Sequence, residues 1–200
     1  MSKLEEKKNI KRSNILDAAA KLFMDKSFAS TAVDDVVKMA GVAKGTFYLY
    51  FKDKYDLLNQ IVAYKGAEVL RSGIAELEKK DGGEMNLAEK VLFLVDFFAD
   101  YLNVHRDLAA LVNKNLTFFF KSFTSGENEE FTAIADRFVS AFTAAGYTEE
   151  EVKKKIYIFT ELIGTVCCEA VLETGPFTLE EIRPVLKNAV RSIMEAKSDD

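Results

Sequence analysis

The sequence predicts an all-α protein, and three observations carry that prediction. Apolar residues recur every three or four positions, Ala, Leu, Glu and Lys are abundant, and only two prolines interrupt 200 residues. Alternating apolar and polar runs of the kind that make strands are missing. At this length one domain, or two packed closely together, is expected.

The elements follow in order. Ile15, Ala19, Leu22 and Phe23 form the buried stripe of a first helix, expected from Lys7 to Asp25. Val33, Val36, Val37 and Ala40 share one face of a short second helix, with Thr31 placed to cap it and Asp34 three residues on. Gly41 tolerates the left-handed backbone of a sharp turn, and Val42 is placed to plug the corner. A short third helix follows, and then Asp53 can cap a fourth that runs through Leu57, Leu58, Ile61 and Tyr64 towards Lys80.

Asp81-Gly82-Gly83 is a break. Further helices are expected over Leu87–Val104 and Asp107–Phe120, with a polar linker from Ser125 to Glu130. Phe131, Ala135, Phe138 and Phe142 mark another, closed by Gly146. Thr148 with Glu151 makes a capping box that opens a long helix through Val152, Ile156, Phe159, Ile163, Val166 and Ala170, ended by Gly175-Pro176. Thr178 and Glu181 form a second box, yet Pro184 obstructs a helix begun there. Either one turn precedes a kink or the last helix starts at Pro184, with Leu186, Val190 and Ile193 as its seam.

Charge is unevenly spread. The net charge is -5 overall, yet residues 1–56 carry +3 and the rest -8. A basic head on an acidic body is the asymmetry expected when one end meets phosphate. No apolar run approaches the ~20 residues of a membrane span. Residues 1–12 are charged and lead into a helix rather than an apolar signal region, so a cytoplasmic protein with no membrane partner is expected.

The segment from Thr31 to Lys54 reads as helix, Gly turn, helix, the layout of a helix-turn-helix whose second helix enters a DNA major groove. With Phe47 pointing inward, steps of about 100° per residue put Tyr50 and Phe51 on the same side. Gly45 and Leu49 then point outward, flanked by Thr46 and Tyr48. Gly45 admits bare backbone to the groove, Thr46 offers a hydroxyl, and Lys44 is long enough to reach a guanine edge. Tyr48 suits a phosphate oxygen, and Lys52 and Lys54 can neutralise phosphates.

The run Gly-Val-Ala-Lys-Gly-Thr-Phe-Tyr-Leu-Tyr-Phe-Lys, Gly41 to Lys52, resembles the TetR family of bacterial transcriptional repressors. The resemblance implies a three-helix DNA-binding head over residues 1–54 and a helical ligand-binding and dimerisation body over 55–200. It assigns DNA contact to Thr31, Lys44, Gly45, Thr46, Tyr48, Leu49, Lys52 and Lys54. It also implies a homodimer on a pseudo-palindromic double-stranded operator, released by a small-molecule effector. Three positions depart from the family pattern. Ala43 stands where a Ser or Thr usually caps the reading helix, Leu49 replaces a commoner His, and Ala32 replaces one hydroxyl of a Thr pair.

In the body, aromatics point to an apolar or aromatic effector rather than a sugar or metal. Phe93, Phe97, Tyr101, Phe118, Phe119, Phe138, Phe142 and Phe159 are the candidates. Tyr157, Glu161, Gly164 and Cys168 recur on the face of the long helix opposite its core stripe. With Leu186, Val190 and Ile193 they are the expected subunit interface, because TetR-like proteins pair their last two long helices into a four-helix bundle. His105, the lone histidine, makes a poor metal site, and no cofactor or metal is expected. Cys167 and Cys168 are adjacent, so a disulfide between them is poor geometry. They read as small buried hydrophobes, with a thiol-responsive regulator or an activator as the alternative. No constellation of catalytic groups argues for an enzyme.

Overall fold

The computed structural model describes residues 3–113 and 129–196, which form nine helices and no strand. They are α1 (Lys3–Lys26), α2 (Val33–Ala40), α3 (Lys44–Tyr50), α4 (Lys54–Asp81), α5 (Leu87–Val104), α6 (Arg106–Asn113), α7 (Glu129–Ala144), α8 (Glu149–Leu172) and α9 (Leu179–Glu195). The chain divides into two compact units, 1–65 and 66–200. Phe118, Phe119, the linker at 125–130 up to Asn128, and the end of the helix expected to reach Phe120 lie outside the described residues.

In the first unit the stripe of α1 is buried as expected: Ile15, Leu16 and Ala19 are fully covered, and Leu22 and Phe23 nearly so. Val36 and Val37 bury the inner face of α2. Gly41 ends α2 at φ +65°, and its neighbour's N–H returns to Val37 O at 3.0 Å, closing the helix end. Phe47 and Phe51 are fully buried with ring centres 5.5 Å apart.

The division falls inside α4, past the boundary expected at residue 54, and packing explains why. Leu57, Leu58, Ile61 and Val62 are buried. Arg12 donates to Gln60 at 2.6 Å, and Lys65 pairs with Asp17 at 3.6 Å. The first three turns of α4 therefore belong to the head. Asp53 caps them as expected, its Oδ1 accepting the N–H groups of Tyr55 and Asp56 at 2.8 Å each.

The second unit is a helical body around Val91, Val95, Leu102, Val112, Phe142, Val152, Cys167, Leu186 and Val190. Both expected capping boxes form. Thr148 Oγ1 accepts from Glu151 N–H at 3.3 Å while Glu151 accepts from Thr148 N–H at 2.7 Å. Thr178 and Glu181 repeat the pair at 3.3 and 2.9 Å. A third box, Asn86 with Glu89, opens α5.

Two expectations about helix ends are corrected. Pro184 neither breaks α9 nor begins it; the helix runs through it from Leu179. The capping box holds the first turn, and the carbonyl that Pro184 leaves without a partner belongs to exposed Glu180, where water can serve it. The long helix α8 stops at Leu172, before Gly175-Pro176. Glu173 itself adopts the left-handed conformation at φ +58°, and Glu169 O accepts the Thr174 N–H at 3.0 Å.

Phe47 is fully buried and anchors a seven-residue helix too short to persist alone. Phe47→Ala is expected to cost about 3–5 kcal/mol, measured by chemical denaturation of the intact chain.

Candidate functional site

The outward face of α3 gathers the residues that sequence reasoning selected for DNA. Burial of Phe47 and Phe51 on one side turns Lys44, Gly45, Tyr48 and Leu49 to solvent, with Thr46 half-exposed. Leu49 is 80% exposed and Tyr48 55%. A Cβ added at Gly45 would meet nothing within 4 Å, so the backbone there is open to an approaching surface. Ala43 begins α3 without a side-chain capping bond, as its identity requires.

Lys44 is not idle in this surface. Its Nζ lies 2.7 Å from Asp34 Oδ1 at the start of α2, with both side chains more than half exposed. The hydrogen bond and charge of Asp34 raise the Lys44 pKa above its ordinary value.

Two of the expected DNA residues are placed elsewhere. Thr31 is buried, and its hydroxyl donates to Ser27 O at 2.9 Å and Leu22 O at 3.3 Å. Its side chain does not cap α2. Ala32 stands at the cap position instead, and Asp35 accepts the Ala32 N–H at 3.2 Å. Lys54 points inward: its Nζ donates to Phe28 O at 2.7 Å and Thr31 O at 3.0 Å and sits 4.3 Å from the centre of the Phe28 ring. This ammonium ties together carbonyls of the turn between α1 and α2. Sequence reasoning saw the basic residue but had no sign of those carbonyls. Lys52 remains exposed, its N–H donating to Asp56 at 2.8 Å.

The body holds a cavity of about 130 Å³. Val91, Val95, Phe98, Phe138, Phe142, Ile156, Phe159 and Ile163 are among its walls, together with Gly164 and Thr160. Thr160 is the one hydroxyl among them, and it already donates to Ile156 O at 2.9 Å. Among the described residues, the walls of the cavity therefore offer a ligand no charge and no uncommitted donor. Of the eight aromatics expected around a ligand, Phe138, Phe142 and Phe159 line this cavity. Phe93, Phe97 and Tyr101 line a separate cleft with Lys80, Asp96, Asp100 and His105. The expected set is thus split in two.

The expected subunit face is also corrected. Cys168, Leu186 and Val190 are buried within this one chain, and Gly164 is a cavity wall. Only Tyr157 is well exposed, with Glu161 and Ile193 half-covered. The long helix α8 is wrapped by its own chain on more sides than a single stripe suggests, because α5, α6, α7 and α9 all pack on it. Cys167 and Cys168 are fully buried, and burial pushes each thiol up to about 12. Such thiols are poor nucleophiles. Among the described residues no group of His, Cys, Asp and Glu could hold a metal, and no helix is long and apolar enough to cross a membrane.

Two outcomes follow. Lys54→Ala should destabilise the chain by about 1.5–3 kcal/mol, as for a lost charged hydrogen bond, where an exposed lysine would cost under ~0.5 kcal/mol; chemical denaturation distinguishes them. Both thiols should resist iodoacetamide at pH 8 until denaturant is added. Their raised values also set a sign: the stability they contribute is full below pH ~9 and lost as pH climbs towards about 12.

Residues 15–61 match the family described as bacterial regulatory proteins, tetR family. The chain is similar to the HTH-type transcriptional regulator AcrR of Shigella flexneri, 36% identical over 89 residues, 42% of this chain and 39% of that protein. It spans about two-fifths of the length of the curated relatives it matches first. The fold is shared more widely. A TetR transcriptional regulator from Rhodococcus sp. RHA1 superimposes with a TM-score of 0.64 at 21% identity, over 96% of this chain and 100% of that one. The transcriptional regulator FadR from Bacillus subtilis, solved in complex with stearoyl-CoA, gives 0.61 at 18% identity over 90% and 97%. Residues 15–61 are thus matched to the tetR family in sequence, and over nine-tenths of its length the chain shares the fold of TetR regulators.

Proposed function

We propose that this protein is a transcriptional repressor that binds a pseudo-palindromic operator as a homodimer and is released by a small uncharged apolar or aromatic ligand. The observation that carries the reading is the outward face of α3. Buried Phe47 and Phe51 fix the helix, Lys44, Gly45, Tyr48 and Leu49 are exposed, and Thr46 is half-exposed beside them. Lys44 suits a guanine edge, Leu49 a thymine methyl and Tyr48 a phosphate oxygen. Two-fold symmetry in the protein requires two-fold symmetry in the site. The exposed positions left on the last two helices, Tyr157, Ile158 and Val185, are where a second copy would dock.

The cavity supports the effector half. Its size is close to that of a void of about 150 Å³ that admits benzene in another protein. An acyl tail is of suitable chemistry too, although a bulky polar head would have to stay outside the walls described. A thiol-responsive mechanism has little support from two buried cysteines with raised pKa values.

Genomic fragments retained on the purified protein at physiological salt test the reading. One pseudo-palindrome should be enriched, and Lys44→Ala should cost about 1–3 kcal/mol per head on it while leaving random DNA nearly unchanged. Equal loss on both would remove the base-reading role. Thermal shift with uncharged aryl and alkyl compounds should give stabilisation of about 2.7 kcal/mol at a hundred times Kd, against none for charged analogues.

A further inference from the structure

We infer that Asp34 is a positioning and specificity-determining residue for the DNA-reading helix: it holds the Lys44 ammonium towards base edges and away from backbone phosphates. The inference rests on the operator-binding reading above. The two side chains come from different helices, Asp34 from the first turn of α2 and Lys44 from the first residue of α3, and meet at 2.7 Å.

The pairing answers a local electrostatic problem. A lysine at a helix start faces the positive end of the helix dipole, which disfavours it there. Ala43 offers no side-chain acceptor to the exposed N–H groups. The carboxylate from α2 supplies the missing negative charge and gives a long, flexible side chain one preferred direction. An ammonium has three donors, and Asp34 engages one, so two remain for a neutral base edge without breaking the pair. A phosphate is different. Its charge repels Asp34, so Lys44 can meet it only by leaving the carboxylate or by bringing two negative charges together.

Asp34 therefore acts oppositely on the two kinds of DNA. On the operator it pre-orders Lys44, and the pair persists. On random sequence it keeps Lys44 from adding a phosphate contact and sets a negative charge against the backbone. Exposed ion pairs are individually weak, so the effect is modest for each head and doubles in free energy for a dimer. Lys38 and Lys52 carry no ion pair among the described residues, and the device is confined to the lysine at the reading helix.

The experiment compares the whole protein with Asp34→Asn, Lys44→Ala and the double variant on operator and on random duplex, over a range of salt. Melting temperatures check that each variant folds. Asp34→Asn should weaken operator binding and tighten random binding, lowering their ratio about two- to fivefold per head. The salt dependence on random DNA should steepen by about 0.9 per head as Lys44 joins a phosphate. In the Lys44→Ala background the same change should leave the ratio where it was. Equal tightening on both DNAs, or an effect that survives without Lys44, would make Asp34 a plain repulsive charge and overturn the inference. A wild-type protein that prefers no sequence would overturn the operator reading itself, and this one with it.

Discussion

Burial of the Phe47 ring is the constraint on which the reading surface depends. A seven-residue helix has too few internal hydrogen bonds to hold its own shape. Its rotation about its axis is set by whichever side chain the head will bury. Phe47 fills that role and Phe51, at the helix end, repeats it one turn later, with both rings inaccessible to water. Once they are fixed, the helical step leaves no choice about what faces out. Leu49 and Tyr48 are exposed because Phe47 is not. Their exposure follows from the helical step and leaves both side chains free to meet an approaching surface.

The same economy of means appears in the charges of the head. Lys44, Lys52 and Lys54 look alike in sequence, three lysines within eleven residues, yet each does something different. Lys44 meets Asp34, Lys52 stays in solvent, and Lys54 turns back to serve the carbonyls that follow α1. What separates them is the supply of acceptors from distant segments, which local pattern cannot express. Thr31 is a similar case. A hydroxyl before an apolar helical run has the form of a cap, but its oxygen goes to Leu22 and Ser27 because the chain end of α1 passes beside it.

Features governed by short-range rules were accordingly legible. The stripe of α1, the glycine turn at Gly41, the boxes at Thr148 and Thr178, and the inward and outward faces of α3 all follow from spacing and residue type. Asn86 with Glu89 obeys the same rule and could have been found by it. Features governed by how helices stack were not legible. Cys168, Leu186 and Val190 form a stripe that looks available to a second subunit, but α8 and α9 spend it on their own chain. The aromatics of α5 divided for the same reason. One side of the helix closes on Phe142 and Phe159, and the other opens towards Lys80 and His105.

The cavity also bounds how the proposed effector could act. Among the described residues its walls supply neither charge nor a spare hydrogen bond, and the binding energy they give comes from apolar area. One aromatic ring buries about 150–250 Å², worth roughly 4–6 kcal/mol at 25 cal/mol per Å². Moving a two-state equilibrium from 1:99 to 99:1 needs about 5.5 kcal/mol of difference between the states. A ring-sized ligand meets that only if the DNA-bound form offers it almost nothing, which means the cavity must close there rather than merely change shape. A longer apolar chain relaxes the requirement, since more area is at stake and a partial closure suffices. Linkage then makes the converse unavoidable: operator DNA must weaken ligand binding by the same factor. The packing of Phe138, Phe142 and Phe159 is thus where DNA affinity and ligand affinity would be traded against each other.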